Sequence, residues 1–322
     1  MREILLNDIG GIKIGNAEKL KGPTGCTVVI CEKGASAGVD VRGGSPGTRE
    51  TDLLNPVNLV DKIHAVVLTG GSAFGLDAAG GVMQYLEERS IGFDVSVTKV
   101  PIVCGAVLFD LNIGDYRIRP DKSMGYEACI NSELNLCKNG SVGAGTGATV
   151  GKILGDEYAM KGGLGSFALQ IGDLKIGAVV AVNCLGDIID SGSGSIIAGA
   201  LGKDKKSFVN TEKVMLNMYS EKKNMFSGNT TIGVVVTNGD FTKSEMNKMA
   251  SMAQDGYGRA IRPAHSMFDG DTIFTMATGK VKSDLSVAGF LAAKVVERAI
   301  VRAIKNADSV LGYRSYKDIW TA

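Results

Sequence analysis

Several apolar runs along the chain are too uniform to be half-exposed strands. "CTVVIC" (26–31), "AVVLT" (65–69), "LKIGAVVAVN" (174–183), "TIGVVVT" (231–237) and "TIFTMAT" (272–278) are rich in β-branched residues with little polar alternation. That pattern predicts strands buried on both faces. Three other segments carry a helical period. "SAFGLDAAGGVMQYLEE" (72–88) has alanines at its centre and Ser72 placed as a cap. "TKSEMNKMASMAQDGYGRAI" (242–261) opens with Thr242 and Glu245 at capping-box spacing, and Met246, Met249, Ala250 and Ala253 share one face. The longest, 283–307, lines up Leu285, Ala288, Leu291, Val295, Ala299 and Ile304. Its Arg298, Arg302 and Lys305 fall toward the C-terminal end, where the helix dipole favours cations.

Strands and helices are mixed, and no Pro- or Ser-rich linker or internal repeat separates two cores. The expectation is one α+β domain over residues 1–322, built in layers of sheet and helix. The most loop-like interval, "NMYSEKKNMFSGN" (217–229), ends where a strongly apolar strand begins. A cut between residues 229 and 230 would divide the chain into 1–229 and 230–322 without removing a core element.

Composition narrows the function classes. With 44% hydrophobic and 21% charged residues and a net charge of +1, nothing draws the chain to nucleic acid or an anionic membrane. Its 44 glycines lie within apolar segments, which predicts tight turns and close backbone approaches. The N-terminus does not read as a signal peptide, and no run reaches the ~18 apolar residues of a membrane span. Six cysteines form no CxxC pair, and His64 and His265 are the only histidines, so no metal or other cofactor is indicated. Buried, reduced thiols in a cytoplasmic protein are expected. In that setting the sequon Asn229-Thr230-Thr231 is no glycosylation site.

Candidate chemistry concentrates in four places. "GSVGAGTGATVGK" (140–152) suggests a phosphate loop, but Thr146 and Ile153 stand where a Walker A motif needs Gly and Ser or Thr. A tight backbone around a buried site is the better reading, with Lys152 at its end as a base of lowered pKa. "FDGDTIF" (268–274) is either a D-G turn or a carboxylate pair, Asp269 and Asp271, close enough that one pKa rises. Asn183 ends an apolar strand, as a cap or as an oxyanion donor. His64 and His265 read as surface or capping residues, and no Ser-His-Asp grouping can be built from them. A nucleophile would then depend on Lys, a carboxylate or an α-amine. Thr230 could gain an α-amine of its own if its hydroxyl attacked the Asn229 carbonyl and the bond broke.

The segments 38–56, 64–88, 100–115, 140–152, 229–238 and 252–279 together resemble the L-aminopeptidase/D-esterase peptidase family, in order and over most of the chain. The branch with Asn-Thr at the junction is similar to 6-aminohexanoate-oligomer (nylon-oligomer) hydrolases and β-peptidyl aminopeptidases. The resemblance implies an αββα-type sandwich of the N-terminal-nucleophile kind, self-cleaved from a precursor, with no cofactor. It implies hydrolysis of amide bonds in small peptides or ω-amino-acid amides. Carried over, Thr230 matches the nucleophile, Asn229 the new C-terminus, Asp269 and Asp271 the acidic pair, Asn183 the oxyanion amide and Lys152 the neighbouring lysine. Family members assemble as oligomers of processed heterodimers, often four. This chain departs from the aminopeptidase branch at Leu111 and Asn112, where that branch carries a Tyr, and at Cys104, commonly a small residue or Pro. An amidase of other specificity, an acyltransferase using the same Thr, and an uncut binding or scaffold homologue remain the alternatives.

Overall fold

A computed structural model describes residues 1–220 and 228–321. Its central strands are β1 (Lys13–Lys19), β2 (Thr24–Val41), β3 (Lys62–Thr69), β4 (Val103–Val107), β5 (Gly163–Ile171), β6 (Leu174–Asn183), β7 (Thr230–Gly239) and β8 (Thr272–Val281). The main helices are α1 (Ala78–Glu87), α2 (Lys122–Ser132), α3 (Thr211–Ser220), α4 (Lys243–Ala253), α5 (Asp255–Ala260) and α6 (Leu285–Asn306). Hydrogen bonding runs through β5-β6-β7-β8-β2-β3-β4, flanked by the short strands Arg2–Ile4 and Thr48–Arg49, with β1 on β2. The pairs β7–β8 and β3–β4 are parallel and the others antiparallel. The long strand β2 carries the sheet from one layer to the next. A register shift between Ile30 and Ala35 lets residues before it pair with β1 and β3, while Ser36 to Val41 pair with β8.

Alternate residues of one strand enter different cores, which makes the layers visible. On β6, Ile176, Ala178, Val180 and Val182 pack with Met246 and Met249 of α4 and Leu291 and Val295 of α6. Their neighbours Val179 and Ala181 join Ile232 and Val234 of β7 and Val29, Val66, Leu68 and Ala106 from the other half of the sheet. On β2 and β3, Val28, Ala65 and Val67 turn outward onto Val82 and Leu86 of α1 and Met124 of α2. The order is helix, sheet, sheet, helix, as the resemblance implies. It also explains the five uniform apolar runs: both faces are covered, so period-two alternation has no solvent to report.

The helices agree with the sequence in part. Thr242 and Glu245 close the expected capping box on α4. The 242–261 segment is nevertheless two helices, α4 and α5, divided at Gln254. Gly256 lets α5 come against α6; a Cβ there would lie 2.5 Å from Ala293 O. Residues Ser72–Asp77 form a 3-10 turn ahead of α1, and Ser72 sits at φ 53, so it is not the helix cap. Of the expected 217–229 loop, 217–220 belong to α3, and 221–227 lie outside the described residues. No helix among the described residues is long and apolar enough to cross a membrane.

Contact between β5 and α6 depends on missing side chains. A Cβ at Gly165 would lie 2.0 Å from Ala299 O, a backbone atom that cannot swing away. Gly165→Ala should therefore destabilise the protein by about 1–3 kcal/mol or more through overpacking. A lowered urea midpoint at unchanged slope would show it, and an unchanged midpoint would contradict this packing.

Candidate active site

Three strand ends meet where the chemistry-bearing residues lie. Asn183, the last residue of β6, pairs directly with Thr230, the first of β7. Beside β7, the parallel strand β8 begins at Thr272, so Asp269 and Asp271 fall just ahead of it, and Asn229 bridges to Asp269. Thr230 is 5% exposed, and Asn183, Lys152, Asp269 and Asp271 are buried. The fold thus brings together all six residues singled out in the sequence.

The Asn229–Thr230 peptide is held from both sides. The Thr230 hydroxyl donates to the Asn229 carbonyl oxygen. That oxygen also accepts from the Gly270 backbone N–H at 3.0 Å. Asp271 Oδ1 accepts the Thr231 N–H at 2.8 Å, anchoring the residue after the nucleophile candidate. Asp269 Oδ2 accepts the N–H and hydroxyl of Ser266, while its Oδ1 is buried and makes no hydrogen bond. Burial, and next the charge of Asp271, raise the Asp269 pKa to about 6. The two carboxylates are thus close enough for the charge of one to bear on the other.

Lys152 approaches from the glycine-rich loop. Its ammonium donates to Asn183 Oδ1 at 2.9 Å, Asn183 O at 3.2 Å and Gly228 O at 3.2 Å. Full burial lowers its pKa to about 8, which leaves it charged at neutral pH but close to titrating. Gly151 makes this approach possible: it sits at φ +71, and a Cβ would lie 2.0 Å from Ala200 N. The loop closes around protein atoms, in keeping with the tight-backbone reading. Asn183 accepts from Thr149 N at 2.9 Å through Oδ1 and donates to Phe109 O at 2.9 Å through Nδ2. A primary amide has two N–H donors, and Phe109 takes one.

Several buried groups escape the sequence reading. Lys161 is fully buried, donates to Gly145 O and Ala148 O at 2.8 Å and Gly162 O at 3.1 Å, and burial lowers its pKa to about 7. It ties down the loop that carries Lys152. Asp110 accepts Gly71 N and Thr24 Oγ1, each at 2.7 Å, and burial raises its pKa to about 6. His265 is no idle surface residue, because its ring meets Asp271. Ser266, three residues before Asp269, had a local signal in the S-x-x-D spacing. Nothing local marks Lys161 or Asp110. Leu111 is partly buried, and Asn112 donates to Asp156 Oδ1. Cys104 is a buried β4 thiol raised to about 12 by burial, a packing residue rather than a nucleophile.

Known proteins give this geometry its context. The model of peptidase family S58 matches residues 5–317. The chain is 39% identical to an uncharacterized aminopeptidase of Mycobacterium leprae, over 97% of this chain and 92% of that protein. It is 31% identical to a 6-aminohexanoate-oligomer endohydrolase of a Kocuria species, over 94% and 87%. The L-aminopeptidase D-Ala-esterase/amidase of Ochrobactrum anthropi, described as a variant of the Ntn hydrolase fold, superposes with a TM-score of 0.71 at 18% identity, covering 95% of this chain and 86% of that one.

Gly270 packs directly against the nucleophile candidate. A Cβ there would lie 2.7 Å from Thr230 Oγ1 and 2.9 Å from Ser45 O. Gly270→Ala should displace Thr230 and cost about 1–3 kcal/mol of stability. Thermal unfolding measures the cost, and a variant as stable as the parent would refute this packing.

Proposed function

The chain belongs to peptidase family S58 and hydrolyses peptide or amide bonds, and we propose that it does so with Thr230 after cutting itself between Asn229 and Thr230. The observation that carries this reading is the double hold on the Asn229 carbonyl oxygen, by the Thr230 hydroxyl and the Gly270 N–H. Thr230 Oγ attacks the Asn229 carbonyl carbon, and its proton passes to Asp269, whose buried Oδ1 accepts no hydrogen bond in the uncut chain. The negative charge that develops on oxygen meets the Gly270 N–H, an oxyanion donor already in position. The C–N bond then breaks, the proton returns to the Thr230 nitrogen, and an ester joins Asn229 to Oγ. Water cleaves the ester, giving a carboxylate at Asn229 and a free α-amine at Thr230. The products are residues 1–229 and 230–322.

In the cut enzyme that α-amine, with an unperturbed pKa of about 7.7–8.0, is the base next to the hydroxyl. Substrate acylates Oγ, and the second Asn183 N–H and the Lys152 ammonium stabilise the oxyanion. One such donor is typically worth about 2.7–4 kcal/mol. Asp271 orients the chain through Thr231. The substrate class is small peptides or ω-amino-acid amides, supported by the aminopeptidase and oligomer-hydrolase names of the relatives. The six free cysteines support a reducing, cytoplasmic setting, and the resemblance supports assembly of processed pairs into oligomers.

Purified protein should run on a denaturing gel as two fragments, with masses that end at Asn229 and begin at Thr230. Thr230→Ala should remain one chain. A wild-type chain still intact after long incubation would sink the proposal.

The pH dependence of precursor cutting follows from two groups. Asp269 must be ionised to take the proton, so the rate rises with pH through about 6. In the precursor Lys152 holds the Gly228 carbonyl, and with it the segment ahead of the scissile bond, most strongly while charged, so the rate falls as pH passes about 8. The profile should be a bell whose acid limb belongs to the Asp269–Asp271 pair. Lys152→Met should slow cutting and remove the alkaline limb, as gel densitometry over pH would record.

A further inference from the structure

His265 stands at an unusual junction. It is a non-glycine residue at φ +60, a region few side chains adopt without a local reason. Both its backbone N–H and its ring Nδ1 lie 3.0 Å from Asp271 Oδ2. The other oxygen, Oδ1, holds the Thr231 N–H at 2.8 Å. Three nitrogens thus surround one carboxylate, and the left-handed turn is what brings the main-chain and side-chain donors of one residue onto the same oxygen. The ring is half-buried, with the Tyr257 ring centroid 6.0 Å away.

We propose that His265 is a positioning residue that locks the Asp271 carboxylate, so that Asp271 in turn fixes Thr230 against the Asn229 carbonyl. It rests on the reading of Thr230 as nucleophile given above. His265 touches neither substrate nor the scissile bond; it acts through Asp271. A carboxylate accepts hydrogen bonds only, so the ring nitrogen that faces it, Nδ1, is the one that carries a proton. Without the ring, Asp271 Oδ2 keeps only a backbone donor and the side chain can rotate. A misplacement near 1 Å at a reacting atom slows a reaction about a hundredfold.

Asparagine and glycine separate the side-chain role from the backbone role. Both tolerate a positive φ, but only Asn carries an N–H donor where Nδ1 stood. His265→Gly should slow precursor cutting about a hundredfold, and His265→Asn should restore most of the rate at similar melting temperature. His265→Gly cutting at the parent rate, or His265→Asn folded yet as slow as His265→Gly, would overturn the proposal. A second measurement does not depend on cutting. In the Thr230→Ala chain, nitrogen-15 NMR should find the neutral His265 ring protonated at Nδ1, with a downfield proton resonance. Protonation at Nε2 alone would refute the assignment even if the chain never cuts itself. Failure of the parent chain to cut, with Nδ1 protonated, would instead refute the nucleophile and keep the His265–Asp271 lock.

Discussion

The site depends on a rung of main-chain hydrogen bonding at the end of a sheet. Asn183 and Thr230 are the last pair of the β6–β7 ladder, and the Asn229 carbonyl is held one step further out by the Gly270 N–H. A peptide bond deep in a ladder is rigid, but its neighbours leave no room for a nucleophile and a base. A bond in an open loop has room but no fixed geometry. The Asn229–Thr230 bond lies between these cases: its nitrogen belongs to the first strand residue, and its oxygen accepts from a glycine just ahead of the parallel strand β8. Parallel pairing matters here. It starts β7 and β8 on the same side of the sheet, so the 269–271 turn faces the start of β7.

That arrangement gathers ionisable groups in a place poorly suited to charge. Lys152, Lys161, Asp110 and Asp269 are all buried, and burial is the leading cause of every one of their pKa shifts. Unpaired, such groups would cost several kcal/mol each. Hydrogen bonds offset the cost. Each lysine makes three contacts with oxygen, and Asp110 accepts from a backbone N–H and a hydroxyl. Asp269 is the exception, with one oxygen satisfied and the other bare. A buried carboxylate oxygen without a donor favours the protonated form, which suits the proton-accepting role proposed for Asp269.

How much of this could be read in advance follows from the range of each contact. The strands were legible because burial on both faces leaves a continuous apolar run, and the Thr242–Glu245 box because it closes within one turn. The 72–77 turn was not, since Ser72 looks like a cap until the left-handed backbone at that residue excludes it. Two aspartates around a glycine were visible, but a turn before a strand is the more ordinary explanation of the same letters. Contacts with Asn229 and Thr231 set the pair beside the start of β7, and the letters carry neither contact. His265, Lys161 and Asp110 carried no local signal at all. Lys161 reaches carbonyls 13 and 16 residues away, and Asp110 reaches Thr24 across 86. Composition cannot announce contacts that exist only once two distant segments are packed.

The proposed oxyanion donors lie on two sides of Thr230. The bond within the chain and the bond within a substrate cannot present their carbonyls in the same way, because in the first the nucleophile is still tethered through its own nitrogen. The tethered carbonyl points at Gly270 N–H, on the β8 side of Thr230. Asn183 lies on the opposite, β6 side, with its amide oxygen turned to Lys152 and Thr149 and one N–H given to Phe109. With the bond cut as proposed, Gly228 would no longer be tethered to Thr230, and its withdrawal would take the Gly228 carbonyl from Lys152. The space and the ammonium donor released by that departure both lie next to Asn183. The proposed cut would thus do more than expose an amine: it would open the second face of Thr230, where a substrate carbonyl would meet donors that the uncut chain keeps occupied.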